Sequence, residues 1–561
     1  MLKHNLRLAV LAALVVIASA AHSTAADQPA EAVEKTIARL IEQLGHESFA
    51  MRERAQRELA EIGGEAFDAL AIAQEDADVE RAMRARFLMR SIRIEWTNAD
   101  DLSTVRAILS GYDTADEAER TMAIDRLERL GLRSLQAICR IVRFDKSERV
   151  SKYAALKIAA LEPKSQAAGA KRDKIVLSGI ASSPRPAADW VRMFVKSHSD
   201  FDATVSAWTK RIASEQKYLK QEPTRTNPQL VSLLLYELID RLTDRQRWDE
   251  LKKLAEQFAK ITDGDWRLRY ALARVEKLQG KGEAAQAAAL EVFKLQPKNA
   301  VAHGRAARFL MEKGMTDWSE WEFRHVIEKT PVFSNARISA QLQLANMLHD
   351  QLRDVAAAKV FEEAVDALEQ EVKKSRGRVP AGAVKPIIDN MSSHMHFYLS
   401  IDHSNRGDQA KQIEHLKQAV EASPSDPDVL IALYHLPQGD EKLRKETLGR
   451  IAKATADFRL QMRAAPDSAF VYNQFAWLVG NTTAHVNEKD AEEAIRASHK
   501  SLELHPDTGG YLDTLAHCYY TKKDYASAVK YQKLAAKYDP HSKLIAQKLE
   551  LFQKALERSK D

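Results

Sequence analysis

The sequence predicts an all-α protein, an elongated α-solenoid of stacked helical hairpins, and three observations predict it. Apolar residues recur at three- and four-residue intervals along most of the chain, the period of amphipathic helices. Prolines that end such runs are evenly spaced, Pro297 and Pro331 lying 34 residues apart and Pro506 and Pro540 again 34. At 561 residues, with 20 Gly, 16 Pro and 45 % hydrophobic residues, the chain is too long for one compact core. Stacked repeats need none, because each hairpin buries its face on its neighbour.

The clearest repeat is "TGGYLDTLAHCYYTKKDYASAVKYQKLAAKYDPHS", residues 508 to 542. Leu512, Leu515, Ala516 and Tyr519 form one apolar stripe, and Ala528, Tyr531, Ala535 and Tyr538 form another; Lys522 to Asp524 make the turn between them. Pro540 lacks an N–H and ends the second helix. The same frame fits 266 to 299, with Leu272 and Ala273, and 300 to 333, with Ala306 and Ala307. It fits 232 to 265, with Leu238, Ile239, Trp248 and Leu251, and 338 to 371, with Leu344, Ala345, Ala357, Phe361 and Ala364. Further units are expected at 393 to 426 and around Tyr472 to Pro506, the latter with about six extra loop residues. This spacing resembles the tetratricopeptide repeat: Leu512 stands at the family's Trp position, Leu515 and Ala516 at its Leu-Gly pair, Tyr519 at its Tyr, Ala528 at its Ala and Pro540 at its Pro. Gln532 departs from the pattern, which places a large residue there.

Upstream, two related stretches are expected, "SFAMRERAQRELAEIGGEAFDALAIAQEDADVERAMRARFLMRSI" and "AERTMAIDRLERLGLRSLQAICRIVRFDKSERVSKYAALKIAAL". They align Gly64 with Gly131 and Arg81 with Arg149 to within a residue, and resemble HEAT repeats. Residues 163–190, mixing Pro, Gly, Ser and charge, read as a linker. The expected organisation is thus a signal peptide over 1–26, HEAT-like repeats over 27–162, the linker, and a repeat array over 191–561.

The signal peptide follows from Lys3 and Arg7, the apolar run Leu8 to Ala20, and small residues at Ala18, Ala20, Ser23 and Ala25. The run is shorter than the roughly 20 apolar residues a transmembrane helix needs. The chain is therefore expected to be secreted or periplasmic. Its formal charge is +5, and loss of Lys3 and Arg7 makes it nearly neutral, which speaks against a nucleic-acid partner. The densest basic stretch, Arg81, Arg84, Arg86 and Arg90, reads as a solvated helix face beside Met83, Phe87 and Leu88. Two cysteines, Cys139 and Cys518, lie amid apolar helical residues and are expected to be small buried hydrophobes.

No catalytic motif occurs, so no enzyme, cofactor or metal is expected. His394, His396, Asp402 and His403 gather in sequence, yet His394 and His396 diverge on a helix, whereas zinc-binding helices place two His at i and i+4. "NTTA" at 481 to 484 is a glycosylation sequon in the inserted loop. What remains is a surface. The tetratricopeptide resemblance implies that the first helix of each hairpin lines a concave groove, with the residue two after the Leu-Gly pair's Leu facing bound peptide. That position is Asp240, Arg274, Arg308 and Asn346 in four units, with Tyr270 and Arg305 nearby. Paired arginines clamp carboxylates through bidentate hydrogen bonds. The expected function is a protein-binding scaffold or adaptor whose partner carries an acidic segment or a C-terminal carboxylate. The alternative is a non-catalytic subunit or cryptic enzyme of the cell envelope.

Overall fold

The computed structural model describes residues 32–161, 166–295, 299–376, 378, 380–437, 441–483, 487–506 and 508–559. The expected signal peptide lies outside them. Every regular element among the described residues is helical, as the periodicity predicts. The chain divides into two units, Met1–Leu238 and Ile239–Asp561.

In the first unit the two related stretches adopt one pattern twice. Phe49–Ile62, a 3-10 turn Gly63–Ala66, Phe67–Ala73 and Val79–Ser91 are followed by Glu117–Glu128, Gly131–Ser134, Leu135–Phe144 and Glu148–Ala160. Gly63 (φ 70°) and Gly131 (φ 62°) hold the same left-handed position, which only glycine adopts without strain. Gly63, not Gly64, is therefore the partner of Gly131. The following turns also match. The Asp76 carboxylate accepts from the Asp78 N–H at 2.8 Å, and Asp145 from the Ser147 N–H at 2.7 Å. Asp78 and Ser147 then cap the next helix.

Residues 163–190 are not a linker: Gln166–Ile180 and the helix from Pro186 to Ser199 occupy most of this span. Val176, Ile180 and Trp190 are fully buried. Its glycines had suggested a break, yet a Cβ at Gly179 would stand 2.7 Å from the Cys139 Cβ. The glycine is there to let two helices approach.

The second unit is a series of hairpins. Trp266–Leu278 pairs with Gly282–Phe293, Ala300–Glu312 with Thr316–Lys329, Asn335–Asp350 with Asp354–Lys374, and Ala381–Asn405 with Gln409–Ala422. Pro427–Tyr434 with Glu441–Ala464, Ala469–Gly480 with Glu488–Leu504, and Gly509–Thr521 with Tyr525–Tyr538 follow, and Lys543–Arg558 covers the last pair. Six of the turns between paired helices share one geometry. Gln246, Gly280, Gly314, Leu352, Gly407 and Lys523 all have positive φ, and the next residue's N–H reaches back five residues, as from Lys281 to Glu276 (3.0 Å), Met315 to Leu310 (2.8 Å) and Asp524 to Tyr519 (3.0 Å). This closes those six first helices with a Schellman-type cap. Residues 246, 280 and 314 recur at the predicted period.

Packing follows the small and large positions read from the sequence. Ala285, Ala289 and Val292 pack with Ala306 and Leu310. Leu344, Ala345, Ala357, Phe361 and Ala364 form the next cluster. Late in the array the chain winds back on itself: the Ser542 hydroxyl donates to Asp350 at 2.5 Å, and the Gln351 amide to the His541 carbonyl at 2.8 Å.

Candidate functional site

The first helices of successive hairpins stand side by side, and their side chains touch in pairs. Arg274 meets Asp240 of the preceding hairpin at 3.1 Å and Asp244 at 3.7 Å, while Lys313 reaches the other Asp240 oxygen at 2.7 Å. Further along, the Tyr398 hydroxyl donates to Asn346 at 3.0 Å, and the Tyr398 ring stacks on His349 with centroids 4.5 Å apart. The Trp477 indole N–H donates to Asp428 at 2.7 Å, and its ring meets His517 edge to face at 5.0 Å. Polar and aromatic side chains thus line a wall of first helices in two groups, Asn346 with Tyr398 and His349, and Asp428 with Trp477 and His517.

The five residues expected to bind a partner fare differently. Arg305 and Arg308 are exposed, and Asn346 is exposed with its amide oxygen taken by Tyr398. Tyr270 is 1 % exposed, stacks on Trp318 and donates to Glu322, which also meets His303. It belongs to the core beneath the wall; burial and the carboxylate push its hydroxyl pKa up. Arg274 is 17 % exposed and already answered by Asp240. The expectation that its charge awaits an external acid fails, because the acid sits at the equivalent position one hairpin earlier.

Negative charge dominates the far part of the wall. Asp428 accepts from a neutral indole, Asp426 caps the Pro427–Tyr434 helix, and Asp354 meets His349 at 2.5 Å. Burial and the neighbouring Asp426 raise the Asp428 pKa. Burial raises that of Tyr398 too, helped by Asp428, Asp354 and Asp426. In the last hairpin Asp513 accepts from the Gln532 amide at 2.6 Å. Burial pushes Asp513 up to about 6 and the His517 imidazole down to about 3. Sequence reasoning missed this group, although Gln532 at a position where the pattern expects another large residue was its signal: the side chain is 0 % exposed and donates also to the Ile545 carbonyl at 3.1 Å.

The remaining sequence candidates resolve as follows. His394 contacts the Asn390 carbonyl at 2.9 Å, while His396 meets His415 with Nδ1 atoms 3.1 Å apart, so the two diverge as expected. His403 stacks on His415 at 5.2 Å, and Asp402 pairs with Arg406 at 3.0 Å. Among the described residues no group of three or more His, Cys, Asp or Glu is placed to hold a metal. The sequon residue Asn481 donates to the Trp477 carbonyl at 2.8 Å and meets His517 Nδ1 at 3.1 Å, which makes it a helix-end residue rather than a free loop amide. Arg81 and Arg84 are held by Asp76, Glu80 and Glu53. Of the apolar residues beside them only Leu88 is buried; Met83 and Phe87 are exposed. Both cysteines are buried free thiols, as the sequence predicts. No helix among the described residues is long and apolar enough to cross a membrane.

The fold and this wall define a class, an α-solenoid of helical hairpins that offers a row of first helices. Residues 510–542 match the tetratricopeptide repeat family, and the resemblance read from the sequence holds for this repeat. The chain is 22 % identical over 347 residues to DnaJ homolog subfamily C member 3 of Bos taurus, a match covering 55 % of this chain and 67 % of that protein. Among solved structures, the P58(IPK) TPR domain aligns at 18 % identity over 58 % of this chain and 99 % of its own, with a TM-score of 0.17. The Cut9 and Hcn1 hetero-tetramer of the APC/C aligns at 13 % over 90 % and 82 %, TM-score 0.26. The TPR2AB domain of yeast Sti1 in complex with pHSP90 aligns at 16 % over 46 % and 98 %, TM-score 0.17. At such scores the superpositions fix neither the curvature of this array nor its site.

Proposed function

We propose that the protein is an exported, non-catalytic scaffold that binds a protein partner along the wall of first helices in its second unit. One observation carries this reading: side chains of neighbouring first helices meet across the hairpins, Asn346 with Tyr398, and Asp428 with Trp477 and Trp477 with His517. Such a row matches an extended peptide, whose side chains repeat along its length, better than a compact small molecule. Arg305 and Arg308 are the exposed cations at the near part of the face, and they supply the contact for a partner's acidic segment or C-terminal carboxylate.

Export rests on the n-region charge, apolar run and small-residue exit of residues 1–26, and predicts a mature chain beginning between Ala21 and Asp27. Sequencing the N-terminus of the purified protein tests it, and recovery of Met1 from a membrane fraction would overturn it. The binding role is tested by capture from an envelope extract with the mature chain, followed by calorimetry on the partner recovered. The double change Arg305→Ala with Arg308→Ala is expected to weaken that affinity at least tenfold with an unchanged melting temperature. Equal affinity would remove these arginines from the site.

A further inference from the structure

We infer that the last hairpin holds a pocket of acceptors that takes a primary ammonium, the lysine side chain of a bound partner. The inference rests on the reading of the wall as a peptide-binding face. The His517 tautomer comes first. Asn481 donates its amide N–H to the Trp477 carbonyl, which fixes the amide oxygen toward His517 Nδ1. That oxygen needs a donor, so Nδ1 carries the proton and Nε2 carries a lone pair. Nε2 is buried without a hydrogen-bond partner, on a residue 8 % exposed.

Nε2 faces the carboxylate of Asp513, 3.9 Å away, one helical turn earlier. The other side of that carboxylate is held by Gln532, whose amide N–H is committed to Asp513 and to the Ile545 carbonyl. The Gln532 oxygen is itself buried and without a donor. Two acceptors, on Asp513 and His517, thus stand side by side, and among the described residues no donor serves the lone pair of His517 or the oxygen of Gln532. Burying such groups unpaired is costly unless a donor arrives. The Asp513 side chain is 18 % exposed, so the donor has a way in from solvent.

The surroundings favour a cation over a neutral donor. Trp477 and Phe552 present their rings to His517, each with centroids 5.0 Å away, and aromatic walls with carboxylates attract ammonium groups. Asp426 and Asp428 extend the negative charge along the same face, Asp426 accepting from backbone N–H groups and Asp428 from an indole. Lys548 is the nearby cation of the chain itself; it acts on both Asp513 and His517 but makes no ion pair with Asp513. A lysine ammonium with three donors can meet Asp513 and His517 together.

The probe is an acetylated and amidated Gly-Lys-Gly-Lys-Gly peptide, compared with its norleucine and glutamate counterparts. Binding is followed by calorimetry and by the Nε2 nitrogen resonance of His517 in histidine-labelled protein, assigned through His517→Gln. The lysine peptide is expected to bind, to move that resonance, and to bind at least tenfold more weakly to Asp513→Asn. The norleucine peptide is expected to do neither. Equal binding of the norleucine peptide, an unmoved resonance, or undiminished affinity in Asp513→Asn would overturn the inference and leave the pocket to an ordered water. Should Asp513→Asn fail to fold, the resonance in the wild-type chain still decides. Binding of the glutamate peptide alone would sink the ammonium pocket while leaving the peptide-binding role intact.

Discussion

Asp513 and His517 titrate in opposite senses, and the difference is measurable. The folded pKa of Asp513 is raised to about 6, so the native state holds this proton more tightly than the unfolded one, and its contribution to stability falls as pH rises from about 4 to about 6. That of His517 is depressed to about 3. The native state binds fewer protons there, so stability is lost as pH falls from about 6.5 to about 3. The His517 shift is the larger, and acidification is expected to destabilise the last hairpin. His517→Gln should flatten that acid limb by roughly 1–3 kcal/mol between pH 7 and pH 4, read by urea denaturation at each pH; an unchanged limb would mean His517 is not buried neutral. Arg274 behaves differently from its neighbour Arg308. Because Arg274 is paired to Asp240 at 3.1 Å while partly buried, Arg274→Ala is expected to cost about 0.5–1.5 kcal/mol, and Arg308→Ala close to nothing. Equal costs in denaturant titrations would remove the distinction.

At the level of the hairpin, the turn decides most. Gly280, Gly314 and Gly407 meet the left-handed requirement that Leu352 and Lys523 meet with strain. Lys523→Gly is therefore expected to stabilise by roughly 1 kcal/mol, and Gly280→Ala, with no neighbour within 4 Å of the new Cβ, to destabilise by a similar amount. Thermal melts of both variants check the pair; shifts of the same sign would contradict the cap geometry. The hairpins from 266 to 333 were legible because helix period, small-residue pair and proline all coincide there. Pro427–Tyr434 with Glu441–Ala464 was not, since the first helix has only 8 residues and the proline after its partner, Pro466, falls off the 34-residue spacing from Pro424 and to Pro506. The Ala381–Asn405 helix begins twelve residues before the frame at 393 because Pro386, which reads as a stop, lies inside it. Within the site, Arg274 was mistaken for an open clamp because sequence spacing shows which residues are equivalent but not that Asp240 and Arg274 neutralise each other across the interface. Tyr270 was misplaced for a related reason: its partner Glu322 lies in another hairpin, 52 residues on.

For the second unit as a whole, a solenoid's stability is ordinarily a sum of local terms between neighbours. Removing everything after Pro424 should therefore leave a folded first portion, and circular dichroism that collapses completely would argue for one indivisible core. The contact from Ser542 to Asp350, across 192 residues of chain, adds a term that no neighbour rule contains. Burial raises the Asp350 pKa, while Ser542 pulls it down and Asp539 pushes it up. The contact works as a clasp on a spring. With it fastened, the hairpins between cannot fan apart independently, so fluctuations at the Asn335–Asp350 helix and at the Lys543–Arg558 helix become correlated. Ser542→Ala should loosen both together, raising amide exchange around 347–352 as well as around 539–545, while exchange near 280 stays the same. Faster exchange at the C-terminal end alone would mean that the clasp carries no tension. If it does, a long partner segment meets a bracelet rather than an open trough: it enters by its end, or waits for the catch to release, and the rate of arrival is set by the host's own breathing.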